Sequence, residues 1–175
     1  MAKSSKKQIY EDDLKVIDEL QKNAKERIDT IAKNCGFSRQ KTWRIINRLE
    51  ENKTIWGYAA VVNEEKQELK RYTMLIKKTT LPLDEKIADK IISRQLEKSA
   101  AEIEIRIESS IFVHGTFDWI ICFKAKDMKH AKRFCEVVNK TYWGHIGEMH
   151  LMETLFPIRI QGIINPDIQK LKEFL

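Results

Sequence analysis

Residues 36–51 read GFSRQKTWRIINRLEE, and this stretch decides how the first half of the chain folds. Gly36 suits the left-handed backbone that a sharp turn after a helix requires. Ser38 is a good N-cap, with a hydroxyl able to accept from a first-turn amide. Beyond it Thr42, Ile45, Ile46 and Leu49 recur at steps of three and four. That spacing predicts a helix to Glu51 with these side chains inward, ended by Asn52. Trp43 is expected to pack on the domain, as large aromatics usually do. Upstream, Ile28, Ile31 and Ala32 mark a short helix over 28–34. Before it, Leu14, Ile17, Leu20 and Ala24 mark a helix over 11–23, with Glu11, Asp12 and Asp13 at its positive end. Downstream, 55–62 reads as a strand or small hairpin, a wing.

Two helices, a tight turn and a third helix describe a helix-turn-helix. Charge follows the same plan. The 175 residues carry 32 Lys+Arg against 26 Asp+Glu, a net +6. Residues 1–62 hold 13 basic and 9 acidic groups, whereas 63–175 hold 19 and 17. The stretch 36–48 contains Arg39, Lys41, Arg44 and Arg48 and no acid. A solvated charged face would look the same in isolation, but the preceding helix and turn favour a nucleic-acid surface. Lys3, Lys6 and Lys7 read equally as a phosphate-reaching or a solubilising tail.

Composition excludes other classes. Apolar residues make up 42% and charged residues 33%, as in a foldable soluble protein. No apolar run reaches the roughly 18 residues of a membrane span, and the N-terminus lacks a signal-peptide core. A cytoplasmic protein with no membrane partner is expected. Cys35, Cys122 and Cys135 stand far apart and read as buried reduced thiols.

The second half alternates strand-like and helix-like segments: a strand over 71–78, a helix over 84–98 with Ile87, Ile91, Ile92 and Leu96 inward, and an alternating strand over 102–113. A strand over 119–125 follows, then a helix from an Asp127 cap to 140, and a last strand over 148–160. This βαββαβ order is ferredoxin-like, one antiparallel sheet with both helices on one face. The bare face is most simply covered by a second copy. Asn165-Pro166 opens a short C-terminal helix. The fold class is α+β: an N-terminal winged helix-turn-helix domain (1–56), a hinge strand and linker (57–70), a C-terminal ferredoxin-like domain (71–162) and a helical tail (163–175).

At this point the sequence resembles the Lrp/AsnC (feast/famine) transcription regulators, mostly bacterial and archaeal. The first part of the match is Asp13-x-x-Val16-Ile17-x-x-Leu20-Gln21-x-x-Ala24, then Ile31-Ala32-Lys33-x-x-Gly36-Phe37-Ser38. It continues through Arg48-Leu49-Glu50-Glu51 to Ile55-x-Gly57-Tyr58-x-Ala60-Val61-Val62. The second part is Val113-x-Gly115-x-x-Asp118, leading to Lys126-Asp127-Met128. Order and spacing across both domains carry the match. Departures are Lys25 where the family usually has Arg, Lys53 where it has Gly, a longer 79–101 segment, and a tail after Gly162. The resemblance implies a DNA-binding domain, a hinge strand, and an effector-binding domain that dimerises through its sheets and often assembles into tetramers or octamers.

Candidate roles follow. Gln40 and Arg44 suit base edges, Gln for adenine and Arg for guanine. Ser38, Lys41 and Arg48 suit phosphates, and Arg39 and Asn47 complete the polar face. The resemblance assigns Gly115, Thr116 and Asp118 to effector binding, commonly of amino acids, or to assembly; a plain hairpin turn is the alternative. His114 reads as a partly exposed, hydrogen-bonded side chain. His145, His150, Glu148 and Glu153 lack the spacing of a ligand set, so no metal site is expected. No nucleophile–base constellation or cofactor loop is present, and no cofactor and no enzymatic activity are expected. Sirohaem decarboxylases share both domains and form the alternative, together with a ligand sensor that does not bind DNA. The expected partners are double-stranded DNA, further copies of the chain, and a small-molecule effector.

Overall fold

The computed structural model describes residues 5–174. By its internal contacts the chain forms two compact units. One holds the residues to Val61 together with Arg159–Pro166, the other Val62–Ile158 and the residues from Asp167.

The first unit contains α1 (Lys6–Lys22), α2 (Ile28–Cys35) and α3 (Arg39–Glu51). They enclose a core of Val16, Leu20, Ile31, Cys35, Ile45 and Leu49. Helix α1 begins earlier than its acidic run suggests, because the Ser5 hydroxyl accepts from the Gln8 amide. Lys6 and Lys7 therefore stand in its first turn rather than in a tail, and Lys3 lies outside the described residues. Its inward face is also shifted: Asp12, Val16 and Leu20 are buried, while Leu14 is exposed.

The expected wing strand is not formed as a strand. Residues 55–62 belong to no helix or strand and have no ladder partner among the described residues. The segment is anchored at its start, where the Ile55 amide donates to Leu49 O and Tyr58 Oη to Glu50 Oε1. A segment becomes a strand only when a neighbour supplies the other half of each hydrogen bond. The strands this unit does hold, β5 (Arg159–Ile160) and β6 (Ile163–Ile164), pair with each other.

The second unit contains β1 (Lys70–Lys78), α4 (Glu85–Ile92), α5 (Gln95–Glu102), β2 (Arg106–Phe112), β3 (Trp119–Ala125), α6 (Met128–Thr141) and β4 (Ile146–Glu153). The sheet order is β2-β3-β1-β4 with every pairing antiparallel, the ferredoxin-like arrangement. Tyr72, Met74, Ile76, Trp119, Ile121 and Phe123 point to one face and are buried with Ala131, Phe134 and Val138 of α6. Asp127 caps α6, its Oδ1 accepting from the His130 amide.

Four expectations are corrected. The single helix over 84–98 is two, broken where Arg94 adopts φ 56. From Ile87 to Ile91 the apolar step is four, but from Ile91 to Leu96 it is five, so one straight helix cannot bury both ends. The break turns Leu96 and Ala100 inward and leaves Ile92 exposed. Strand β2 starts only at Arg106, because Glu102 ends α5 and Ile103 caps it. The last strand stops at Glu153, ahead of Pro157, which cannot donate to a ladder. The C-terminal helix is a short 3₁₀ stretch, Ile168–Glu173.

Candidate nucleic-acid interface

The turn before α3 is fixed by local hydrogen bonds. Gly36 closes α2 at φ 71, ψ 32, a left-handed backbone that a Cβ would strain. The Phe37 amide donates to Ala32 O at 2.8 Å. Ser38 then caps α3, its hydroxyl accepting from the Lys41 amide at 3.2 Å. Thr42 is fully buried and donates to Ser38 O, so both ends of the first turn are pinned.

With Thr42, Ile45 and Leu49 inward, the opposite face of α3 carries Gln40, Trp43, Arg44 and Asn47, related as i, i+3, i+4 and i+7. Gln40 and Arg44 are exposed, and Asn47 is half-buried. Arg39 is exposed, with Nε 3.6 Å from Asp29 Oδ1. Trp43 does not pack as expected: it is 55% exposed. The packing positions of α3 are filled by the aliphatic side chains on the other side of the helix, and position 43 falls outside their stripe.

Three of the four cations in this stretch meet acids of the same chain: Arg39 meets Asp29, and Lys41 and Arg48 meet carboxylates of α1. Lys41 Nζ lies 2.6 Å from Asp12 Oδ2 and sits 3.8 Å from the Phe37 ring centroid. Arg48 donates to Asp13 Oδ1. Burial works to raise the Asp12 pKa. Hydrogen bonds from Lys41 and Gln8 and the charge of Lys41 outweigh it and hold the carboxyl below its ordinary value. Among the described residues, the cation of this stretch that meets no acid is therefore Arg44. Sequence spacing missed these pairs, because a buried Asp12 is visible only once α1 and α3 are packed.

In the second unit, Asp118 is occupied by the fold. Its Oδ2 accepts from the Lys78 amide at 2.8 Å, and its own amide donates to Ile76 O. Gly115 and Thr116 are exposed at the tip of the β2–β3 connection, and so is His114. Glu148 and His150 share a face of β4, with 3.6 Å between Oε2 and Nε2. Glu153 points to the other face, bonded to Lys70 and Tyr72. Among the described residues no three His, Cys, Asp or Glu side chains are grouped to hold a metal. All three cysteines are free; Cys35 is buried, whereas Cys122 and Cys135 are half-buried, and burial pushes the Cys35 and Cys135 thiols up.

The sheet face away from the helices carries Leu75, Ile111, Ile120 and Met152, with Ile111 and Met152 substantially exposed. At one end of this face stands a four-charge network that no sequence signal indicated, its members coming from four separate segments. Glu64 meets Arg71 and Lys124, and Glu108 meets the same two cations.

Residues 13–55 match the family of winged helix-turn-helix DNA-binding domains. A sequence comparison with curated proteins gives no match. Solved structures do match. An AsnC family transcriptional regulator from Agrobacterium tumefaciens is 16% identical at a TM-score of 0.62, over 89% of this chain and 96% of that one. A transcriptional regulator from Neisseria meningitidis, solved as its L-Met complex, is 16% identical at 0.63, over 90% and 94%. The leucine response regulatory protein of Mycobacterium tuberculosis is 18% identical at 0.62, over 86% and 94%. The chain thus joins a winged helix-turn-helix domain to a ferredoxin-like domain. The particular version of that architecture is the fold of the Lrp/AsnC transcription regulators. No described helix is long and apolar enough to cross a membrane.

Proposed function

We propose that the protein is a sequence-specific, cytoplasmic DNA-binding transcription regulator of the Lrp/AsnC type. The observation that carries this is the outward face of α3. Gln40, Arg44 and Asn47 stand together on a helix held by a Gly36 turn and a Ser38 cap, in a stretch with no acid. Such a helix fits the major groove, where Gln pairs with adenine and Arg with guanine. Arg39 and the Ser38 hydroxyl, which can still donate, serve phosphates. Lys41 and Arg48 reach phosphates only while shared with Asp12 and Asp13, so they contribute more to the position of α3 than to affinity.

The exposed apolar sheet face supports a working unit of two or more copies, which would present two α3 helices to half-sites about one helical turn apart. The L-Met complex of the Neisseria neighbour supports a small effector, such as an amino acid, for the second unit. Gly115 and Thr116 remain open for such a role or for assembly. An effector would act by binding two assembly states unequally.

The test is selection of binding sequences from random duplex DNA by the full-length protein, followed by footprinting. An imperfect palindrome with two protected half-sites is the expected result. Failure to enrich any sequence would overturn the proposal.

A further inference from the structure

We propose that Trp43 is a base-reading residue, packing its indole on thymine C5-methyl groups in the major groove between the contacts of Gln40 and Arg44. This rests on α3 being the DNA-contacting helix.

Three observations point to it. Trp43 is 55% exposed, on a helix whose large aliphatic residues Ile45 and Leu49 are almost wholly buried. It lies three residues after Gln40 and four before Asn47, so it shares their face and not that of the core. It also has no ring contact among the described residues, whereas the neighbouring Phe37 is engaged by the ammonium groups of Lys41 and Lys15. Exposure alone would not distinguish Trp43, since Trp56 and Trp143 are exposed as well. Its surroundings do. Trp56 lies in the segment after α3 and Trp143 just beyond α6, whereas Trp43 is flanked by the polar groups that would read bases.

The chemistry selects thymine. Of the four bases only thymine offers an apolar group to the major groove, and an indole presents a broad apolar surface to meet it. An apolar side chain left in water regains hydration free energy by covering such a methyl, while Gln40 and Arg44 meet the hydrogen-bonding edges beside it.

The experiment uses the full-length protein and a duplex it has selected from random DNA. Each thymine of one half-site is replaced in turn by uracil, which removes only the methyl. Affinities are measured at one salt concentration for the unsubstituted protein, for Trp43→Ala and for Trp43→Gln. Uracil at one or more positions is expected to weaken the unsubstituted protein about fourfold per methyl. Trp43→Ala is expected to bind the thymine and uracil duplexes equally. Trp43→Gln keeps a helix-forming polar residue and gives the same readout should the alanine variant fold poorly. The assignment is overturned if uracil is without effect at every position, or if both variants keep the full thymine preference. Intact DNA binding with no methyl effect removes only the role of Trp43. Absence of binding to any duplex removes the DNA reading and this assignment with it.

Discussion

Lys41 Nζ on the third helix lies 2.6 Å from Asp12 Oδ2 on the first, and only 6% of the Asp12 side chain is exposed. Two turns further along the third helix, Arg48 meets Asp13 in the same way. The two pairs fix α3 against α1 through its polar flank, as Ile45 and Leu49 do through the core. A helix that places a few donors on base edges must be held rigidly, and on the proposed reading of α3 these ties supply part of that rigidity.

Substituting Asp12→Asn removes the charge that Lys41 faces. The domain should lose about 1 kcal/mol, a modest figure because Lys41 is itself half in water. Thermal unfolding measures this. An unchanged melting temperature would show that the pair forms without stabilising the helix packing.

Arg44→Gln and Lys41→Gln should separate affinity from stability. Among the described residues Arg44 is the cation of the outward face that meets no acid, so its loss should cost about 1–3 kcal/mol on the selected sequence and relax preference at one position. Lys41→Gln should lower the melting temperature and leave base preference intact. Equal effects of the two on sequence preference would sink the division drawn between them.

Acid should act through Asp12 and Glu64. Burial raises the pKa of Glu64, but hydrogen bonds from Arg71 and Lys124 and the charge of Arg71 more than offset this, so the carboxyl lies below its ordinary value of 4.5. Asp12 likewise lies below 3.8. Groups whose pKa is depressed on folding stabilise fully above their unfolded values, and the contribution is lost as pH falls through the folded ones. Melting temperature should therefore be flat above about pH 5 and fall below about pH 4. The double variant Asp12→Asn, Glu64→Gln should start lower and fall less steeply. A parallel curve would show that other carboxylates dominate.

Asp118→Ala should destabilise the second unit by about 1 kcal/mol, since the Lys78 amide loses its acceptor. This holds without any ligand present. A melt identical to that of the unsubstituted protein would show that the bond to the Lys78 amide adds nothing to stability.

Ile120→Asp would place a charge in the middle of the open sheet face, opposite Leu75 and Ile111. If that face joins two copies, sedimentation should show the variant as a monomer, and its melting temperature should stop rising with protein concentration. A variant that assembles normally would exclude this face as the interface.

The sequence by itself determined the three helices of the first unit and the βαββαβ order of the second, apart from the break in its first helix. Gly36, Ser38 and the 42–45–49 spacing are local signals, and local hydrogen bonds and helical periodicity decide what they form. The β3 and α6 segments were equally legible, because a near-continuous apolar run and an Asp127 cap leave few alternatives. Where apolar spacing slipped, as between Ile91 and Leu96, the break in the helix was present in the sequence but had to be read as a step of five.

Tertiary structure alone decided which charges are free. Asp12 is buried and Leu14 exposed, the reverse of their individual preferences, because Lys41 arrives from another helix to meet the carboxylate. Glu64, Arg71, Glu108 and Lys124 gather from four segments in the same way. Trp43 belongs here too, since an aromatic is read as core until the packed helices show which stripe faces inward. Charge pairing and burial depend on distances between residues far apart in the chain, and no local pattern encodes those distances. For the candidate interface, the sequence therefore identified the helix, and the packing chose among its side chains.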